Sequence, residues 1–383
     1  MSAWVKIYNS GQLSIDLEPT TRCNARCPQC ARNDERNNLK QRPWLPMNSI
    51  SIDQFKEWFP RDVIGNIKNI HMSGTYGDAG MCKDLYKIAQ YIMTWGIGTT
   101  LSVNTNGGMR DEQFWWDLGV LCGKRLRMIF DIDGINQEMH GFYRRGISLD
   151  KVLSNMKTMS YTNAKIHTFT VLFKHNQDYL EQIKDMCREN GAIFCDHVES
   201  DRFKETPYFE FIDENGKKQL LEQTTKEEVM IGSFDRVGRR VRDHRHEEMK
   251  SEYKSIKCVY AENNSIKISA EGLISPCCYL GTPLENGPWQ DTYYNIKSGK
   301  KNLMASNATK KEDPLHHLMK RYIDNTDSFT LSNRGFVDII SDPWWDELEE
   351  TWNNLDSAPV ACVTTCGEKG CKPKTRPRVI AYG

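Results

Sequence analysis

The stretch Leu13-Ser-Ile-Asp-Leu-Glu-Pro-Thr-Thr-Arg-Cys-Asn-Ala-Arg-Cys-Pro-Gln-Cys30 runs a strand-like segment straight into a loop with three cysteines. Leu13, Ile15 and Leu17 alternate with Ser14, Asp16 and Glu18, which is the period of a half-buried strand. Cys23, Cys27 and Cys30 follow with the spacing Cys-x3-Cys-x2-Cys. Three thiolates leave a four-coordinate zinc site one ligand short. They can hold three corners of a four-iron, four-sulfur cube and leave the fourth iron open to a small molecule.

Working outward, strand-like and helix-like segments alternate over the first two hundred or so residues. Ile67–Met72, Thr99–Val103, Leu126–Ile132, Ile166–Phe173 and Ala192–Glu199 read as further strands. Between them lie helical patterns. Ser51-Ile-Asp-Gln54 has the form of a capping box and opens a helix through Phe55 and Phe59. Leu85, Ile88, Ala89, Ile92 and Met93 recur at helical spacing, as do Leu149, Val152, Leu153 and Met156. A helix over Phe114–Leu121 carries Trp115 and Leu118 on one side, and another, through Tyr179, Ile183, Met186 and Cys187, stops at Asn190-Gly191. Six strand-then-helix units imply a parallel sheet with right-handed crossovers. The pattern alone does not separate an open sheet from a barrel.

The cysteine triplet after a first strand resembles the signature of the radical S-adenosylmethionine (radical SAM) enzymes. That resemblance implies an α/β fold, a partial (β/α)6 TIM-like barrel, with the chemistry at the carboxyl ends of the strands. It also implies that Cys23, Cys27 and Cys30 bind a [4Fe-4S] cluster whose open iron takes the amino-acid end of SAM. One local departure is Gln29, where the family usually has an aromatic residue.

The loops after the later strands extend the likeness. Ser73-Gly-Thr-Tyr-Gly-Asp-Ala-Gly80 is similar to the family's Gly-Gly-x-Gly-Glu-Pro-type segment, with Asp78 in place of Glu and Ala79 in place of Pro. It implies that Gly74, Gly77 and Asp78 hold the SAM amino group. Ser102-Val-Asn-Thr-Asn-Gly107 is similar to the Thr-Asn-Gly that often closes the third strand, which makes Asn104 a cofactor candidate. Phe130-Asp-Ile-Asp-Gly134 is similar to the family's Ser-Ile-Asp-Gly, with Asp131 where a serine contacts the SAM ribose. A carboxylate can accept from both ribose hydroxyls. His140-Gly-Phe-Tyr-Arg-Arg-Gly146 offers Arg144 and Arg145 as partners for the SAM carboxylate.

A second cysteine set, Cys258, Cys277, Cys278, Cys362, Cys366 and Cys371, occupies the last third. Thirteen residues separate Cys258 from Gly272 and four separate Gly272 from Cys277. Ser265–Ser269 and Leu273–Ser275 flank Ala270-Glu-Gly272 as a hairpin that brings Cys258 and Cys277 together. The spacing resembles the opening of SPASM and twitch extensions, which carry auxiliary iron–sulfur clusters. Six cysteines cannot fully ligate two cubes, so one auxiliary [4Fe-4S] cluster is expected, in a smaller twitch-like domain of β-hairpin and helix. Its expected ligands are Cys258, Cys277, Cys362 and Cys366, with Cys371 or Cys278 as alternates. In a strand Cys278 would point away from its neighbour Cys277. A structural zinc site on the same thiols is the rival reading. Cys82, Cys122, Cys187 and Cys195 read as packing thiols.

The expected domains are 1–204, the barrel; 205–257, a charged connecting segment with some helix; and 258–383, the auxiliary domain. His244 and His246, at the end of an arginine-rich run, read as surface residues, and Trp345, Leu348 and Trp352 as one side of a packed helix. The 51 basic and 51 acidic residues balance to a net charge of zero, which argues for neither a nucleic-acid nor a membrane-surface partner. No apolar run approaches the length of a membrane span. Thirteen cysteines, an odd number, suit metal or catalysis in the cytoplasm better than a disulfide framework.

The resemblance implies an oxidoreductase that takes an electron from a donor such as flavodoxin or ferredoxin and cleaves SAM to a 5′-deoxyadenosyl radical. The radical abstracts hydrogen from a substrate. Oxidation or crosslinking of a peptide or protein side chain is the leading expectation and dehydrogenation of a small molecule the second. A non-catalytic zinc or iron–sulfur module that binds nucleic acid is the third. No catalytic side chain, substrate or oligomeric state is legible.

Overall fold

A computed structural model describes residues 1–200, 202–203, 206–226, 253–278, 280, 317–354, 357–359, 362–363 and 366–369. The arginine-rich run with His244 and His246, Cys371 and nearly all of the basic tail lie outside the described residues. The chain divides into two compact units. One comprises Met1–Asp16, Lys56–Lys68 and Asp235–Gly383; the other comprises Leu17–Phe55 and Asn69–Phe234.

The six expected strands form, with ends shifted by up to two residues. They are β1 (Leu13–Leu17), β2 (Ile67–Met72), β3 (Thr100–Thr105), β4 (Leu126–Asp131), β5 (Lys165–Leu172) and β6 (Phe194–Glu199). The expected hairpin forms as β7 (Ser265–Ile268) and β8 (Ile274–Ser275). Hydrogen bonding orders the eight strands β8-β7-β1-β2-β3-β4-β5-β6. From β2 to β6 each strand pairs in parallel with its successor. A doubly wound open sheet reverses its order at a switch point. Here β1 to β6 never reverse, so the fold is a partial TIM-like barrel.

In the second unit the two faces of the sheet differ in chemistry. Leu101, Val103, Met128, Phe130, Ile166 and Leu172 are buried on one face, and the Phe130 ring lies 5.9 Å from Trp115 of the helix Glu112–Cys122. Several of the alternate positions are polar. Ser102 Oγ and Thr100 Oγ1 both donate to Asn69 Oδ1, at 3.2 and 2.9 Å, and Arg127 donates to Ser102 Oγ at 3.1 Å. Period-two alternation thus sends most of the bulky apolar groups toward the helices and sets a hydrogen-bonded group of Asn69, Thr100, Ser102 and Arg127 on the opposite face.

Local signals are realised as read. Ser51 N–H donates to Gln54 Oε1 at 3.0 Å and Gln54 N–H to Ser51 Oγ at 3.1 Å, a reciprocal capping box on the helix Ile52–Trp58. The helix Leu180–Glu189 ends at Asn190, with Gly191 at φ +96°. The charged connecting segment also holds an element not anticipated. The segment read as a connection with some helix contains an antiparallel hairpin, Tyr208–Ile212 with Lys218–Glu222. Phe211 and Leu221, one in each strand, are its buried anchors.

The first unit is built on indoles. Trp4 lies 5.0 Å from Trp345, and Trp344 lies 5.3 Å from Trp345 and 5.0 Å from Tyr322. Each indole N–H reaches a carbonyl: Trp4 to Ser265, Trp344 to Leu318 and Trp345 to Ile339. Asp342 caps the helix Pro343–Glu350 through the Trp344 N–H at 3.0 Å. Trp345 and Leu348 are buried in this helix, so the aromatic-acidic stretch is core. Replacing Trp345 by Ala should cost about 3–5 kcal/mol in a denaturant titration, the usual loss for a buried indole.

Candidate active site

The cysteine loop is fixed by the last polar residue of the first strand's alternation. Glu18 is 2% exposed, and its carboxylate accepts the backbone N–H groups of Thr75 at 2.6 Å, Tyr76 at 3.0 Å and Gly77 at 2.8 Å. One anion therefore clamps the loop after β2 against the start of the cysteine loop. A Cβ on Gly77 would lie 1.8 Å from the Thr20 carbonyl oxygen, so only glycine permits the approach. Gly74 sits at φ +66° in the same turn.

Within the cysteine loop, Cys30 N–H donates to the Cys27 carbonyl at 3.1 Å, and Asn33 Nδ2 donates to the same oxygen at 3.0 Å. Cys23 Sγ accepts from Ala25 N–H at 3.3 Å and Asn106 Nδ2 at 3.7 Å. Burial raises the Cys23 thiol well above its ordinary range, and Asp78, Cys27 and Cys30 push it further. Burial likewise pushes Cys27 up to about 12, against the pull of Arg144 and with a push from Cys30. The three thiols thus share one electrostatic pocket. Among the described residues, no three His, Cys, Asp or Glu side chains gather as they would around a single metal ion. The ligands of a cube bind separate irons, so they stand farther apart than the ligands of one ion. A thiol-only set of three fits a cluster with an open corner, and iron would hold the thiols as thiolates.

Beside Cys27 lies a buried ion cluster. Arg144 reaches Asp131 at 3.1 Å and Asp133 at 2.5 Å. Asp133 also accepts from Val171 N–H at 2.6 Å. Burial pushes Asp131 up to about 7, although Arg144 opposes it, because Asp133 and Asp78 add their own repulsion. Arg144 is held well above its ordinary value by the same two partners, Asp131 and Asp133, against the opposing effect of burial. Arg145 turns elsewhere and pairs with both Glu214 oxygens, at 2.7 and 2.9 Å. Of the two candidate arginines, Arg144 is therefore the one at the cysteine pocket.

The remaining candidates differ in how free they are. Asp78 Oδ1 accepts from Gly80 N–H at 2.8 Å and Thr105 Oγ1 at 2.9 Å, and Oδ2 from Asn106 N–H at 2.6 Å. A carboxylate has about four acceptor positions, so one remains. Asn104 Oδ1 is buried and has no hydrogen-bond partner among the described residues. Sequence reasoning missed Glu18, Asp133 and Asn106. The polar alternation of β1 was the available signal for Glu18, and Asn106 and Asp133 stand in the Thr-Asn-Gly and Ile-Asp-Gly runs that end β3 and β4.

Residues 17–187 match the radical SAM superfamily. This stretch of the chain is a radical SAM domain. A curated relative, the GTP 3′,8-cyclase of Campylobacter jejuni subsp. doylei, is 24% identical over 283 residues, covering 70% of this chain and 80% of that protein. Among solved structures, Streptococcus suis SuiB bound to S-adenosylmethionine is 13% identical with a TM-score of 0.44, covering 70% of this chain. The chain spans 60% of that SuiB chain. BtrN in complex with AdoMet and 2-DOIA is 9% identical with a TM-score of 0.42, covering 95% of this chain and 96% of that one.

The radical SAM domain is accompanied by the second cysteine set, in the other compact unit. Lys257 N–H donates to the Cys366 carbonyl at 3.0 Å, and the strand Tyr253–Ile256 pairs with Gly367–Lys369, which ties Cys258 to Cys366. Burial is the main cause of Cys258 rising to about 11, and Cys366 adds to it. Cys277 is raised by burial and then by Cys278, Cys362 and Cys258. Cys362 and Cys366 pack on Ile256, Ala358 and Val363. Cys278 has a different setting: burial raises its thiol, and the Tyr260 hydroxyl and Lys267 partly offset that rise. The described cysteines form no disulfide with one another. Among the described residues no helix is long and apolar enough to cross a membrane.

Two outcomes follow from this geometry. Glu18→Gln should lose about 2–4 kcal/mol in a denaturant titration, because an amide leaves part of the N–H clamp unmet. His140 is fully buried, and its Nδ1 accepts from Asp133 N–H at 3.2 Å. Burial lowers its pKa from 6.5 to about 4, so the folded state keeps the ring neutral where the unfolded chain takes up a proton. Its contribution to stability is complete above pH 6.5 and is lost as pH falls toward 4, by about 3 kcal/mol in all. His140→Asn should flatten that part of the stability–pH curve.

Proposed function

We propose that this chain is a radical SAM oxidoreductase with one auxiliary [4Fe-4S] cluster, and that it oxidises or crosslinks a peptide or protein side chain. The observation that carries the reading is the pairing of two separate cysteine groups. Cys23, Cys27 and Cys30 would hold the first cluster, and Cys258, Cys277, Cys362 and Cys366 the second, with Cys278 spare. The proposed domains are the barrel over 1–204, the connection over 205–257 and the auxiliary domain over 258–383.

When bound, the first cluster and SAM supply a carbon-centred radical able to take hydrogen from unactivated C–H bonds. The protein's part is to bind, orient and shield. Arg144 offers a guanidinium for the SAM carboxylate, Asp131 an acceptor for ribose hydroxyls, and Asp78 its one open acceptor position for the ammonium group. Asn104 Oδ1 is a further acceptor on the same polar face, and Gly74 and Gly77 let the loop backbone come close. Arg145 completes the Glu214 contact and braces the cysteine loop, since its carbonyl accepts Arg26 N–H at 3.0 Å. A flavodoxin or ferredoxin in the cytoplasm would supply the electron.

A second reading, a small-molecule or nucleotide substrate, is favoured by the curated relatives named GTP 3′,8-cyclase. Product mass separates the two. Anaerobic incubation with SAM, dithionite and candidate peptides should give peptides two hydrogens lighter, whereas turnover of GTP alone would support the second reading. Purified anaerobically, the protein should carry about eight irons per chain, falling to about four in Cys258→Ala/Cys277→Ala and staying near eight in Cys278→Ala. Zinc with no iron would overturn the proposal.

A further inference from the structure

We infer that Asn106 is a positioning residue for the first cluster: its amide donates to the Cys23 sulfur and raises the reduction potential of the centre that Cys23 would ligate. The inference rests on the radical SAM reading of the domain and adds a residue to it.

Asn106 is 3% exposed, and every polar atom of its side chain is engaged. Its Oδ1 accepts from Gly108 N–H at 2.9 Å. A backbone N–H can only donate, so this contact fixes which end of the amide is oxygen, an assignment that is otherwise ambiguous. Nδ2 therefore faces the cysteine loop. It donates to Asn24 Oδ1 at 2.9 Å and to Cys23 Sγ at 3.7 Å, a reach suited to the large sulfur atom. Its own backbone N–H is anchored on Asp78 Oδ2 at 2.6 Å. Asp78 also holds Thr105 Oγ1 and Gly80 N–H, and its N–H donates to the Arg22 carbonyl at 2.8 Å, next to Cys23. The amide is thus preorganised against the sulfur from both sides in sequence, and swinging away would break two other hydrogen bonds, those to Gly108 and Asn24.

One-electron reduction of a cluster adds one negative charge, which spreads over iron, sulfide and thiolate sulfur. An N–H aimed at a ligating sulfur stabilises the more negative, reduced form more than the oxidised form. Cys23 sits beside the Asp78 carboxylate, a neighbour that works in the opposite direction. Asn106 and Ala25 N–H are the donors that offset it.

The test uses the full chain reconstituted with iron and sulfide, titrated with dithionite and followed by electron paramagnetic resonance. The signal that changes on adding SAM reports the cluster of Cys23, Cys27 and Cys30. In Asn106→Ala, the ratio of reduced to oxidised cluster at the wild-type midpoint should fall about tenfold, equal to a downward shift of about 59 mV for one electron. Asn106→Asp keeps an acceptor for Gly108 but points a carboxylate oxygen at the sulfur, and it should shift the midpoint further down. Asn24→Ala, which loosens the same loop but leaves the N–H···S contact, should leave the ratio within twofold. Midpoints unchanged in both Asn106 variants at full iron content overturn the inference and leave the domain reading intact. If the alanine variant fails to fold or load, the aspartate variant decides alone. A wild-type chain that takes up no iron overturns both.

Discussion

The arrangement depends on one buried carboxylate. Glu18 closes β1 and gathers three consecutive N–H groups from the loop after β2. Without that anion the N–H groups of Thr75, Tyr76 and Gly77 would lose the one acceptor that gathers them. With it, Asp78 is delivered beside the cysteine loop, and Asp78 in turn fixes Thr105 and Asn106 at the end of β3. A continuous hydrogen-bonded path therefore runs through the carboxyl ends of the first three strands and finishes on the Cys23 sulfur.

The electrostatics of the pocket follow from that placement. Asp78, Asp131 and Asp133 converge near the thiols, with Arg144 as their shared guanidinium. Burial raises Cys23, Cys27 and Asp131 together, and neighbouring carboxylates add a smaller push. The second cysteine group stands in another compact unit, where Ile256, Ala358 and Val363 supply a small apolar support.

Much of this was legible in the order of residues. Strands β1 to β6 show up because period-two alternation survives wherever one face is apolar. The capping box at Ser51 and the stop at Gly191 are local hydrogen-bonding and dihedral constraints, so they need no tertiary information. The hairpin at Tyr208–Glu222 was obscured because its apolar run, Tyr208-Phe-Glu-Phe-Ile212, is short and lies within a strongly charged stretch. Arg144 and Arg145 could not be told apart in the sequence. Their fates differ by the direction each side chain takes at the end of a short helix, Gln137–Tyr143.

The sequence by itself determined the cysteine triplet, its place after the first strand and the succession of strand–helix units, since spacing and periodicity are properties of neighbouring residues. The tertiary structure alone decided that the strands follow one another without reversal. It alone decided that Glu18 serves a loop more than fifty residues away, and that an amide from β3's end rests on the first cysteine. Those outcomes come from contacts between distant segments, and the energy of such contacts is written only in the folded chain.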